Sequence, residues 1–142
     1  MSLNNFFPEH NYICYFSAFP NVKFTSKTGG ELQREVGQQH SGGMEPPENI
    51  KGPQTVGQVT LTKPYDTILD AAFEALVTNA INGVVDVDQD LICQPVDSNG
   101  IPNGKADTYK ECAFVSLRKP DINKGSSEAA MIEVIVQPRF MI

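Results

Sequence analysis

Only one stretch of this chain, Asp66–Asn82 (DTILDAAFEALVTNAIN), has helical periodicity. Leu69, Ala72, Phe73, Leu76 and Ala80 recur as an apolar stripe, and Asp66, Asp70, Glu74 and Thr78 recur every four residues as an opposite, wet face. Asp66 is placed to cap the first turn, and Gly83 supplies a stop, because glycine tolerates the left-handed conformation that ends many helices. Almost everything else reads as strand or turn. One one-sided helix in a β chain predicts a packing helix that closes a side or end of a sheet or barrel.

The flanking segments carry the β pattern. Tyr12–Phe19 (YICYFSAF) reads as a strand ended by Pro20, Val22–Thr25 continues extended, and Lys27-Thr28-Gly29-Gly30 reads as a turn. Glu31–Val36 alternates, with Leu32, Arg34 and Val36 on one side and Glu31, Gln33 and Glu35 on the other. Thr55–Lys63 reads as a single strand running through Pro64 into the helix, and Val84–Cys93 as a strand with Val85, Val87 and Leu91 against Asp86, Asp88 and Asp90. Asp97–Gly104 has hairpin-turn chemistry, and Tyr109–Lys119 and Ala129–Gln137 are the last two strands. In the final strand one face holds Ala130, Ile132, Val134 and Val136. The other holds Ala129, Met131 and Ile135, interrupted by Glu133. A strand apolar on both sides is expected to be covered twice, by the helix or by another subunit.

The pattern breaks at both ends of the first third. Gln38–Pro53 (QQHSGGMEPPENIKGP) holds three glycines and three prolines, so regular strand or helix is not expected to run through it. A loop of that length inside a compact domain is usually functional or ordered by a partner. Residues 1–11 form an N-terminal arm whose Phe6-Phe7 would sit better against a neighbour than in water. The expected architecture is one domain, 1–142. It is mainly β, a small antiparallel β-barrel or sandwich with one α-helix (about 66–82) packed on it and a long loop (about 38–53).

Composition narrows the function. With 11 basic against 17 acidic residues the formal charge is −6, and the basic residues are scattered, which argues against tight binding to a phosphate backbone. No apolar run approaches the ~20 residues of a membrane-spanning helix. The start, MSLNNFFPEH, has neither the basic end nor the long apolar core of a secretion signal. Cys14, Cys93 and Cys112 are odd in number and far apart, and His10 and His40 are the only histidines. Neither a zinc site nor a disulfide framework is expected; the cysteines read as small apolar residues in a reducing cytoplasm. Asp86, Asp88, Asp90 and Asp97 have the offsets of acidic calcium-loop ligands, but Leu91 stands where that loop needs glycine, so the acidic strand face reads as solvated. Neither histidine sits in a nucleophile motif, and neither GxSxG nor GxxxxGK[ST] occurs, so no residue argues for catalysis and no cofactor is implied.

Three stretches in this order resemble the tail tube proteins of contractile-tailed bacteriophages. They are the turn and strand Lys51–Asp66 (KGPQTVGQVTLTKPYD), the helix, and the C-terminal pair Tyr109–Pro138 with its Pro-Asp turn and Ser126-Ser127-Glu128 before an apolar strand. The ELQREV strand also fits; together they cover about two thirds of the chain. The resemblance implies a structural virion protein assembled in the host cytoplasm. Its subunits form hexameric rings stacked into the inner tube of a contractile tail, inside a sheath and between baseplate or tail-tip and terminator proteins. DNA passes through the tube without specific binding. On that reading Phe6, Phe7, His40, Met44, Glu45, Ile50, Lys51, Met131 and Ile135 are candidates for contacts between subunits or rings, and Asp86, Asp88 and Asp90 for an acidic lumen wall that repels phosphate. Two alternatives are a baseplate, tail-tip or secretion-tube component of the same fold, and, from another class, a monomeric ligand-binding β-barrel.

Overall fold

The inward residues of the last long strand set the core. In the computed structural model, which describes residues 12–39, 42, 48–85, 87–121, 123–125 and 127–142, Ile132, Val134 and Val136 are fully buried on one face. In chain order the elements are β1 (Tyr12–Phe16), β2 (Phe19–Phe24), β3 (Ser26–Gly29), β4 (Leu32–Gln39), β5 (Glu48–Val56), β6 (Val59–Pro64), α1 (Ala71–Ile81), β7 (Gln89–Pro95), β8 (Asp107–Arg118), β9 (Met131–Gln137) and β10 (Phe140–Met141). Apart from β4 and β5 the strands form one antiparallel sheet in the order β2-β1-β7-β8-β9-β6-β3, with β10 on β8. β8 belongs to both halves: its beginning pairs with β7 and β10, its end with β9. The sheet is not hydrogen-bonded into a closed barrel. Its two edge strands, β2 and β3, are nevertheless consecutive in the chain, and Thr25 between them donates its N–H to the Thr62 carbonyl at 2.9 Å. The sheet therefore curls into a sandwich whose edges meet at one corner.

Aromatic rings fill the centre. Phe16 and Phe73 are fully buried and stack at 5.5 Å with 23° between their planes. Phe24 meets both edge-on, at 5.7 Å from each, and Phe114 also leans on both. Such contacts add to the burial of large apolar area. α1 contributes Phe73 and Val77 to this core. The helix is therefore rotated from the expected stripe: Leu69 and Ala72 are exposed, and Val77 takes the buried place. Asp70, expected on the wet face, is fully buried because Lys63 of β6, itself buried on the inner face, reaches it with Nζ–Oδ1 at 2.6 Å.

The helix is shorter at its start than 66–82. Residues 67–70 form a turn held by Asp66, whose Oδ1 accepts the N–H groups of Ile68 and Leu69 at 3.0 Å each. Its end is as expected. Gly83 has φ +76°; its N–H bonds to the Ala80 carbonyl, and the Val84 N–H bonds to that of Asn79, the paired bonds of a Schellman stop.

Several strand boundaries differ from expectation. Ser17-Ala18 turn the chain before Pro20, so Tyr12–Phe19 is two strands, and Pro20 lies in the edge strand β2, where a missing donor does little harm. Lys27–Gly29 is strand paired with β6, not turn. Thr55–Lys63 is broken at Gly57-Gln58, and β7 starts only at Gln89, with 84, 85, 87 and 88 outside it.

Candidate assembly surface

The second sheet is a ribbon of β4 and β5 alone, and its strands take in 38, 39 and 48–53 of what reads as the loop 38–53. Strand runs through Gln39 and again from Glu48; 40, 41 and 43–47 lie outside the described residues. The glycine and proline that argued against strand sit in a bulge: Arg34 pairs with Gln54 and Val36 with Lys51, leaving Gly52 and Pro53 opposite the lone Glu35. Proline's missing N–H is harmless there, and a Cβ on Gly52 would stand 3.1 Å from the Glu35 carbonyl oxygen.

The base of the ribbon is built from close backbone crossings. Gly30 donates to the Gln58 carbonyl at 3.1 Å and Gly57 to that of Glu31 at 2.9 Å. At Gly29, φ is +84° and a Cβ would lie 2.1 Å from the Gln58 oxygen, so only glycine fits. Gln137 Nε2 donates to the Val56 carbonyl at 2.7 Å and Gln54 Oε1 accepts the Met141 N–H at 3.3 Å, tying the base to β9 and β10.

Beyond the base both faces are open. Leu32 and Val36 share one face at 54% and 50% exposure, and Ile50, opposite Gly37, lies on the other at 53%. A free-standing two-stranded ribbon is marginal in water, and this one shows apolar side chains on both sides. Of the contact candidates read from the sequence, Ile50 and Lys51 lie on this ribbon. Leu32 and Val36 join them; their shared side was visible in the ELQREV alternation, although that segment did not single them out as contacts.

Met131 and Ile135 lie elsewhere, on the outer face of β9, with Met131 43% exposed and Ile135 half-buried. The helix does not cover this face, since Phe73 and Val77 enter the core that the inner face of β9 lines. The outer row is otherwise polar: Thr60 stands beside Ile135, and Thr62 beside Glu133. Phe6, Phe7, His40, Met44, Glu45 and Asp86 lie outside the described residues.

The two described aspartates of the acidic face differ. Asp88 is exposed ahead of β7. Asp90 stands opposite a bulge in β8, where Lys110 and Glu111 together face it and Glu111 takes φ +51°. Its Oδ1 accepts the Glu111 N–H and its Oδ2 the Lys110 ammonium, each at 3.0 Å. The Glu111 N–H first and Lys110 second hold this carboxyl below the usual aspartate range. The bulge also keeps both Tyr109 and Cys112 buried on the inner side.

Among the described residues the architecture is a curled antiparallel sandwich with one helix and a projecting ribbon. No family model and no curated protein matches the chain. Among solved structures, a chain of the PVC sheath–tube complex in its extended state, an extracellular contractile injection system, matches at TM-score 0.74 and 14% identity, over 99% of this chain and 92% of its own. A chain of the PVC sheath/tube terminator matches at TM-score 0.75 and 16% identity, over 99% and 98%. Hcp1 from Flavobacterium johnsoniae matches at TM-score 0.50 and 11% identity, over 92% and 93%. The fold that the resemblance to tail tube proteins implies is the fold found, and it is shared along nearly the whole chain.

Proposed function

We propose that this protein is a tube-class subunit of a contractile tail, which associates with itself into six-fold rings and stacks them into a hollow conduit. The observation that carries the reading is the β4–β5 ribbon: it projects from a fold shared with contractile-injection components and presents Leu32, Val36 and Ile50 to solvent on both faces. A neighbouring subunit supplies the cover. Head-to-tail rings use two different patches, and in this reading the ribbon of one subunit lies on the outer face of another, near Met131 and Ile135. Phe6, Phe7, His40, Met44, Glu45 and Lys51 extend these contacts, sheath encloses the tube, and baseplate and terminator proteins bound its ends.

The conduit carries a viral genome in this proposal, and the chain's −6 charge supports passage without retention. Asp86, Asp88 and Asp90 form the lumen wall. Of the two described aspartates Asp88 contributes the less screened charge, because Asp90 is already engaged by Lys110.

Negative-stain electron microscopy across a concentration series, with terminator or tail-tip complexes added as seeds, tests the assignment. Hollow rods of stacked rings that leave added duplex DNA unretained are expected. A monomer at every concentration, seeded or not, overturns the tube class, and rods that hold DNA at moderate salt overturn the conduit role. A second reading has its own support in the match to a sheath/tube terminator: a ring that stops at one layer. Single rings that never stack would select it.

A further inference from the structure

Cys14 and Cys93 are far apart in sequence but directly opposite each other on antiparallel β1 and β7. The Ser17 N–H donates to the Asp90 carbonyl at 2.9 Å, which marks a hydrogen-bonded position one step beyond the Phe16–Leu91 pair. Hydrogen-bonded and non-hydrogen-bonded pairs alternate along an antiparallel ladder, so Tyr15–Ile92 is bonded and Cys14–Cys93 is not. At a non-hydrogen-bonded pair the Cα atoms are about 4.5 Å apart and the side chains are at their closest. That lies within the span of about 4.4–6.8 Å that a disulfide bridges.

Both thiols are free, and both point to the inner face. They are nearly buried, at 4% and 1% exposure. They line a cavity of about 650 Å³ at one end of the sandwich, together with Tyr12, Lys27 and Asp107. The two thiols face each other across the ladder. The neighbouring Cys93 thiol, then the Lys27 ammonium, hold Cys14 below the ordinary thiol range, while the Cys14 thiol and burial push Cys93 up. Cys112 is different: it does not line the cavity, its Sγ donates to the Tyr109 carbonyl at 3.4 Å, and burial pushes it up to about 12.

We propose that Cys14 and Cys93 are a redox-modification site, closing to a reversible intramolecular disulfide when the protein meets a small-molecule disulfide. The Cys14 thiolate attacks one sulfur of the small disulfide, and the other sulfur leaves as a thiolate that takes up a proton. Cys93 then loses its proton and attacks the Cys14 sulfur of the mixed disulfide, releasing the second small thiol. The two protein thiols give up two electrons and two protons, and the small disulfide becomes two thiols. The bond staples β1, the first described strand, to β7. It stands whether or not the chain builds a tube.

The test uses the unmodified protein. It is purified under reductant, exchanged into oxidised glutathione, denatured, alkylated and mapped by mass spectrometry. The expected product has lost two hydrogens, links the Cys14 and Cys93 peptides and leaves Cys112 alkylated. Its melting midpoint rises and falls back on adding dithiothreitol, and Cys112→Ser behaves identically. Three alkylated cysteines overturn the proposal. So does a lasting glutathione adduct without the link, or a link through Cys112.

Discussion

Lys63 and Asp70 are two opposite charges taken out of water, and they hold together the strand and the helix on which they sit. Asp70 Oδ2 also accepts the Asp66 N–H at 3.0 Å, so the carboxylate ties the turn before the helix as well. Removing one member leaves the other charged and unpaired, which costs about 3–5 kcal/mol; replacing both with apolar residues of similar volume is close to neutral. Lys63→Met is therefore expected to lower unfolding stability by that amount in urea titration, and Lys63→Met/Asp70→Leu to recover most of the loss. Equal losses in the single and double variants would contradict this. The residue scale also sets the response to acid. Asp90, engaged by the Glu111 N–H and Lys110, and Glu74, engaged by Lys119 and the Tyr65 hydroxyl, are both held below their usual range. A carboxyl depressed in the folded state contributes stability that is present above its unfolded pKa and lost as pH falls through its folded one. Asp90→Asn should flatten the decline in melting temperature between about pH 5 and pH 2. An unchanged slope would show that the Asp90 contacts do not persist in solution.

At the scale of elements, the helix and the ribbon are opposite cases of legibility. The helix was readable because its period is strong and its stop, Gly83, is local chemistry. Its orientation was not. Of the expected stripe only Phe73 is fully buried, joined by Val77, and what turns the helix this way is a lysine on β6, seven residues before Asp70, that pairs with that buried carboxylate. The ribbon was hidden for the opposite reason. Gly52 and Pro53 are breakers in an ordinary ladder but natural occupants of a bulge, and local composition cannot distinguish the two. Apart from the contacts at its base the ribbon stands away from the core cluster, so it is separable from the fold. Replacing residues 35–52 with a two-residue Asn-Gly turn is expected to leave the thermal unfolding of the sandwich within a few degrees of the parent. It should abolish rods in the microscope. Normal rods from the shortened chain would remove the ribbon from the assembly surface.

For the whole molecule, the mainly β fold class and the central strands β8 and β9 were legible in the sequence, and the closure of the sheet was not. Val134 and Val136 were legible as one face of β9, and that face is in the core. The corner at Thr25 was not, because it depends on two strands from opposite edges arriving at the same place. Cys14 and Cys93 were read as isolated apolar residues for the same reason: register brings them together, and register is a property of the whole sheet.

The ribbon's attachment has a mechanical consequence. Its two strands enter the sandwich as β3 and β6, which are paired with each other from Ser26–Thr62 to Gly29–Val59 and join the ribbon at the same end. A pull along the ribbon draws both strands in one direction, so it does not peel them apart. The load passes to the ladder between β6 and β9, which runs from Val59–Val136 to Pro64–Met131, and reaches it in shear. Bonds loaded in shear share the force and must fail together, whereas bonds that are peeled fail one at a time. A ribbon anchored in this way passes tension into the sandwich without unzipping it.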